Sequence, residues 1–125
     1  MVLLDSNIVI YSTRIESEFD ALRTFLVEER SAVSLITFVE VLGYHKLSEQ
    51  DKVSFGVFID STPILDITAD IAAGAVRLKQ VRKIGLGDAV IAATAMEHGL
   101  TLVTRNTRDF SWIRGLNLLD PAKDL

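Results

Sequence analysis

Four acids of this chain occupy positions where a carboxylate needs a reason. Asp5 follows the apolar run Val2-Leu3-Leu4. Glu40 lies inside Leu35-Ile36-Thr37-Phe38-Val39-Glu40-Val41-Leu42. Asp88 opens the almost wholly apolar stretch Asp88–Met96, and Asp109 falls in the polar segment Thr104–Phe110 that follows Leu100–Val103. A carboxylate taken out of water is costly unless it is paired, protonated or bound to a metal. Each acid alone has an ordinary explanation. Asp5 suits a turn or a helix cap. Glu40 suits a capping box reaching back to Thr37. Asp88 suits the positive end of a helix dipole. Asp109 suits a salt bridge to Arg105 or Arg108. Together they suit something else, because carboxylate and water oxygens are the ligands that Mg²⁺ and Mn²⁺ prefer. Crowded carboxylates also repel one another until a divalent cation relieves them. Ser6, Asn7, Thr104 and Asn106 stand beside these acids and supply hydroxyl and amide groups that orient carboxylates or hold water.

The elements that must position these side chains follow from hydrophobic pattern. Val2–Leu4 reads as a buried strand, and apolar character resumes at Ile8–Tyr11. Phe19, Leu22, Phe25 and Leu26 recur at helical spacing within Glu16–Arg30. Ser31–Leu35 is the next strand, and a helix capped by Thr37 is expected to run on through Leu47. Ser48 or Ser54 opens a further helix toward Ile59. Pro63–Ile67 reads as a strand, and Thr68 caps a helix bearing Ile71, Ala75, Leu78 and Val81. After the interruption Gly85-Leu86-Gly87, a helix runs from Asp88 to His98 and Gly99 closes it. Leu100–Val103 is a strand, Thr104–Phe110 a polar loop, Leu116–Leu119 a last short strand, and Pro121 begins an exposed tail. Strands alternate with helices, and several strands are apolar throughout. That pattern predicts an α/β/α sandwich around a parallel sheet covered on both faces. Two of the acids then follow the carboxyl ends of strands, where ligand sites of such sheets lie.

Composition narrows the function. The 125 residues are expected to form one domain spanning 1–125, without repeats or linkers. There is no cysteine, so disulfides and thiolate metal sites are excluded and a cytoplasmic location is the expectation. Neither a membrane span nor a signal peptide is expected. The net charge is −4, yet residues 77–114 carry seven of the 13 Lys and Arg against three acids, a local +4, while the remainder carries −8. A polyanion would be drawn to Arg77, Lys79, Arg82, Lys83, Arg105 and Arg108, unless these only solvate a helix face and a loop.

The residues also resemble a known family. Leu4-Asp5-Ser6-Asn7, Thr37-Phe38-Val39-Glu40-Val41, Gly87-Asp88-Ala89-Val90-Ile91-Ala92-Ala93-Thr94-Ala95 and Leu102-Val103-Thr104-Arg105-Asn106-Thr107-Arg108-Asp109-Phe110 are similar, in order, to the four motifs of the PIN-domain ribonucleases. Within them the chain looks like the VapC-type toxins of toxin–antitoxin pairs. The resemblance covers Leu3 to about Leu119. It implies a PIN-like sandwich, a Mg²⁺ or Mn²⁺ site, and cleavage of RNA by Asp5, Glu40, Asp88 and Asp109, of which Asp109 matches a variable position. It implies a homodimer and a cognate antitoxin that carries DNA binding and inserts a segment near the acids. Phe38, Tyr44, Phe55 and Phe58 are candidates for that surface or for ordinary core.

Two other readings compete. An RNA-processing nuclease without an antitoxin would share the same site. A phospho-receiver domain would share the length and a Mg²⁺-binding acid cluster, with Asp66 as acceptor. It lacks a second acid beside Asp5, and no lysine follows Leu100–Val103. His45 and His98 lie outside the motifs, which argues against a histidine-based ribonuclease.

Overall fold

The computed structural model describes residues 1–14 and 16–125. Five short parallel strands form one sheet: β1 (Val2–Leu4), β2 (Ser31–Ser34), β3 (Ile64–Leu65), β4 (Thr101–Val103) and β5 (Leu118–Leu119), in spatial order β3-β2-β1-β4-β5. Helices α1 (Ser6–Ser12) and α2 (Asp20–Glu28) join β1 to β2. Helices α3 (Leu35–Leu42) and α4 (Glu49–Asp60) join β2 to β3. Helices α5 (Ala69–Val81) and α6 (Leu86–His98) join β3 to β4, and α7 (Thr107–Phe110) leads to β5.

The register explains the apolar strands. Leu3 pairs with Ala32 and Leu102, and all three enter one core with Ile71, Ile91 and Phe110. Val2, Leu4, Val33 and Val103 point to the opposite face and pack with Ile8, Leu22, Val41, Phe55 and Ile59. Alternate residues of a strand face opposite ways, so burial of every residue requires cover on both sides. The predicted three-layer α/β/α sandwich with a central parallel sheet is therefore the observed one. Helix α6 is its most deeply placed helix, with Ala89 to Ala95 all buried. Small residues allow this: a methyl group at Gly74 would lie 3.2 Å from Ala93 Cβ, so α5 and α6 pack nearly backbone to backbone.

Several local expectations are corrected. Ser34, not Thr37, caps α3, because β2 ends one residue before the predicted boundary and Ser34 Oγ accepts from Ile36 N. Thr37 is then buried inside the helix, and α3 stops at Leu42 rather than reaching Leu47. The segment after β4 is not wholly loop, since Thr107–Phe110 makes one helical turn. Helix α6 starts at Leu86, so only Gly85 of the glycine interruption lies outside it. Pro121 itself is buried, so the exposed tail begins one residue later at Ala122, and it is held to the body: Asp120 Oδ1 accepts from Ala122 N, and Asp120 N donates to Asp124 Oδ2. Gly99 closes α6 in the left-handed conformation (φ 63°), as the sequence indicated.

Candidate active site

The chain leaves β1, builds β2 and β3 on one side, and returns to place β4 on the other side of β1. The reversal opens a crevice beyond the carboxyl ends of β1 and β4, the usual ligand position in open parallel sheets. Asp5 and Thr104, the residues that follow these two strands, meet there. Asp5 N donates to Val103 O at 3.0 Å, and Thr104 Oγ1 donates to Asp5 Oδ2 at 2.7 Å. Asp5 also caps α1, its Oδ1 accepting from Ser6 N at 2.7 Å. The cap and the candidate ligand are one residue. Thr104 Oγ1 accepts in turn from Asn106 N, so Asn106 contributes its backbone. Its amide caps nothing, and Asn7 makes no side-chain hydrogen bond among the described residues.

Glu40 arrives from α3. Only Thr37 and Val41 of that helix are fully buried, one turn apart, so Glu40 faces solvent rather than core. This corrects the apolar setting its sequence neighbours suggested. Ser6 Oγ lies 2.8 Å from Glu40 Oε1 and 3.0 Å from Thr37 Oγ1. A hydroxyl both donates and accepts, so a Thr37–Ser6–Glu40 chain is satisfied when Thr37 donates inward. Thr37 is thus a site residue that the sequence showed only as a false helix cap. The Glu40 carboxylate also rests on Gly87, whose hypothetical Cβ would lie 3.0 Å from Glu40 Cδ. At the glycine interruption the close approach is made at Gly87 and not at Gly85, which has open space around it.

Asp88 stands in the first turn of α6, one residue beyond this contact. Burial, followed by the charges of Asp5, Asp109 and Glu40, pushes its carboxyl up to about 6. Burial also raises Asp5; the bonds from Thr104 and Ser6 oppose that rise, and Glu40 and Asp109 add to it. Asp5 and Asp88 therefore both sit in the field of Glu40 and Asp109. Asp109, on α7, is exposed, and among the described residues no ion pair to Arg105 or Arg108 holds it.

These donors fit a hard divalent cation by type: all are oxygens, and their mutual repulsion is what such an ion removes. Among the described residues, however, no three acids or histidines already stand in clasping geometry. Glu40 is turned to Ser6, so side-chain rotation is needed for several carboxylates to share one ion. Rotation about exposed side-chain bonds is easy, whereas the backbone positions that carry the four acids are fixed by the fold.

The basic residues divide. Arg82, Lys83 and Arg108 line a cleft with Asp88 and Asp109. Arg105 shares a neighbouring hollow with Asp109 and also covers the Tyr11 ring. Lys79 is occupied in closing the α5–α6 turn, donating to Ile84 O at 2.8 Å. Arg77 lines a separate hollow with Asp70 and Glu97 and does not join the acids.

A family model described as PIN domain matches residues 2–116. The chain belongs to the PIN-domain family. The tRNA(fMet)-specific endonuclease VapC of Salmonella typhimurium is 31% identical over 94% of this chain and 96% of its own length. The protein of the same name from Shigella flexneri is 29% identical over the same shares. A toxin–antitoxin complex from Klebsiella pneumoniae contains a chain 35% identical, superposing with a TM-score of 0.77 over 97% of this chain and 98% of that one. PIN-family membership excludes the receiver-domain reading.

Proposed function

We propose that this chain is a Mg²⁺- or Mn²⁺-dependent endoribonuclease and the toxin of a type II toxin–antitoxin pair. The observation that carries the reading is the gathering of Asp5, Glu40, Asp88 and Asp109 around the β1–β4 crevice, where burial, and after it the charges of the other three, raises Asp88. The endonuclease names of full-length relatives support it.

Asp5, Glu40 and Asp88 would hold the ion, with Asp109 completing that site or a second one. The ion supplies Lewis acidity toward the phosphodiester and toward water. The chain's own groups do the rest. Thr104 and the α1 amide of Ser6 fix Asp5, and Ser6 with Thr37 fixes Glu40 in the arrangement without metal. One of the carboxylates accepts the proton of the attacking water. In-line attack on phosphorus then leaves a 5′-phosphate and a 3′-hydroxyl. Arg82, Lys83, Arg105 and Arg108 counter the phosphate charge that a net charge of −4 would repel.

An antitoxin partner is supported by a groove of about 340 Å³ in which Ile10, Val41, Tyr44, Leu47 and Phe55 are joined by Thr13, Arg14, Asp51 and the site acid Glu40. Phe55 belongs to the core, whereas Tyr44 is 53% exposed. A homodimer, and DNA contact only through the antitoxin, are parts of the same proposal. A cytoplasmic site of action belongs to it as well; no helix among the described residues is long and apolar enough to cross a membrane.

The test is cleavage of RNA by the purified chain with Mg²⁺, with EDTA, and after Asp5→Asn. Cleavage lost in the last two cases supports the reading. An Asp5→Asn chain that cuts at the wild-type rate overturns the site. Growth arrest on expression, relieved by a neighbouring reading frame, separates a toxin from a processing nuclease.

A further inference from the structure

The cleft that holds two of the acids also holds a side chain that the cleavage chemistry does not use, Trp112. The cleft has a volume of about 430 Å³ and is lined by Asp88, Asp109, Arg82, Lys83, Arg108 and Trp112. That volume lies within the ~300–1,000 Å³ typical of sites for small ligands. Trp112 is the sole tryptophan of the chain. Its Nε1 donates to Asp109 O at 2.8 Å, which fixes the indole beside the α7 acid. The ring is half-buried against the core on the α6 side of the sheet. The Arg82 guanidinium carbon sits 5.3 Å from the ring centroid, within cation–π range. Arg82 is the residue at which α5 gives way to extended chain (φ −159°, ψ 155°), and it is exposed. Among the described residues, neither Arg82, Lys83 nor Arg108 forms an ion pair, although two carboxylates line the same cleft.

We propose that this cleft is the subsite for the nucleotide next to the scissile phosphate, with its base stacked on Trp112 and its phosphates met by Arg82, Lys83 and Arg108. In the RNA-free chain Arg82 covers the ring. An exposed cation–π contact is weaker than a base stacked on an aromatic side chain, so an incoming base displaces the guanidinium. Arg82 is long and held by no carboxylate, so it turns to the adjoining phosphate and keeps its charge in the cleft. Trp112 binds substrate and takes no part in proton transfer. Stacking needs an open base face, so the nucleotide seated here is unpaired. Stacking also tolerates any base, so this subsite selects single-stranded structure rather than a letter.

The inference rests on the ribonuclease reading, and the experiment keeps the two apart. The Asp5→Asn chain is titrated, with Mg²⁺ present, with a short unstructured single-stranded RNA carrying a terminal dye. Binding is followed both by anisotropy of the dye and by fluorescence of Trp112. The expected result is quenching of Trp112 that saturates with the same Kd as the anisotropy. In the otherwise wild-type chain, Trp112→Ala raises KM about tenfold or more with kcat little changed. Trp112→Phe, which keeps a stacking ring but loses the bond to Asp109 O, restores most of the affinity. Arg82→Ala lowers the slope of log Kd against log salt by about 1. Should Trp112→Ala fail to fold, the fluorescence titration and the Phe and Arg82 variants decide the matter. RNA binding without a change in Trp112 fluorescence, or Phe as damaging as Ala in a folded chain, overturns the subsite and leaves the ribonuclease standing. A wild-type chain that neither binds nor cuts RNA removes the ribonuclease reading, and the subsite with it.

Discussion

Thr104 Oγ1 donates to Asp5 Oδ2 at 2.7 Å, joining two residues 99 positions apart in sequence and adjacent across the β1–β4 seam. Thr104 is fully buried, and its oxygen also accepts from Asn106 N. Removing the hydroxyl leaves a buried carboxylate oxygen and a backbone donor each short of a partner. Thr104→Val is therefore expected to lower stability by about 1–3 kcal/mol. By freeing Asp5 to rotate, it should also raise the Mg²⁺ concentration for half-maximal cleavage by about 10–100-fold. Thr104→Ser should recover most of both. Chemical denaturation and a Mg²⁺ titration of RNA cleavage measure the two effects.

The charge coupling gives a pH dependence of definite sign. Asp88 is raised from 3.8 to about 6, so between these values the folded chain holds a proton that the unfolded chain has released. Stability from this group is full below about 4 and is lost as pH rises through 6. Asp88→Asn should therefore stabilise the metal-free protein at pH 7.5 by about 1–2 kcal/mol, a figure reduced from the full shift because the group is partly solvated. The gain should vanish at pH 4. Mg²⁺ should raise the Tm of the wild type at pH 7.5 and leave that of Asp88→Asn almost unmoved. Melting curves at both pH values, with and without Mg²⁺, check this.

The six basic residues singled out from sequence are not equivalent. Lys83 and Arg108 line the cleft beside the acids, while Arg77 lies in another hollow with Asp70 and Glu97. Lys83→Ala and Arg108→Ala should each weaken RNA binding and lower its salt slope by about 1, the loss of one phosphate contact. Arg77→Ala should change neither. Filter binding across a salt series gives the slopes; an Arg77 effect equal to the others would mean that the RNA path runs along α5.

How much of this was legible in sequence depended on the range of the signal. Asp5 was found because Val2–Leu4 is apolar on both faces and ends in an acid, a pattern local enough to read. The long α5 and α6 repeat their periods several times, so their sequence pattern marks their ends to within two residues. Helix α7, with four residues, is too short to show a period, so its polar sequence reads as loop. At α3, Ser34 and Thr37 are both capping types, and the spacing Thr37–Glu40 fits a capping box. What decided for Ser34 was the end of β2, set by pairing with β1 and β3. That choice turned Thr37 inward to Ser6 and Glu40 outward. The Thr37–Ser6–Glu40 chain and the seating of Glu40 on Gly87 are tertiary contacts, so no reading of one segment reveals them. The same holds for the separation of Arg77 from Arg82.

Gly87 offers a test that separates geometry from stability. Its backbone φ is not positive, so alanine is conformationally acceptable there. It lies in the first turn of α6, where alanine improves helix formation by up to about 1 kcal/mol over glycine. The added Cβ would sit 3.0 Å from Glu40 Cδ, and only the flexible, exposed Glu40 side chain has to give way. Gly87→Ala should therefore fold with unchanged or slightly raised Tm while pushing the Glu40 carboxylate away from Asp88. Cleavage should fall by about 10–100-fold, as expected when a metal site loses its alignment. Gly56→Ala supplies the control: Gly56 lies within α4 with nothing within 4 Å of its added Cβ, so the Tm should rise with cleavage unaltered. Comparable cleavage by Gly87→Ala and wild type would show that Glu40 does not work from the position it holds against α6.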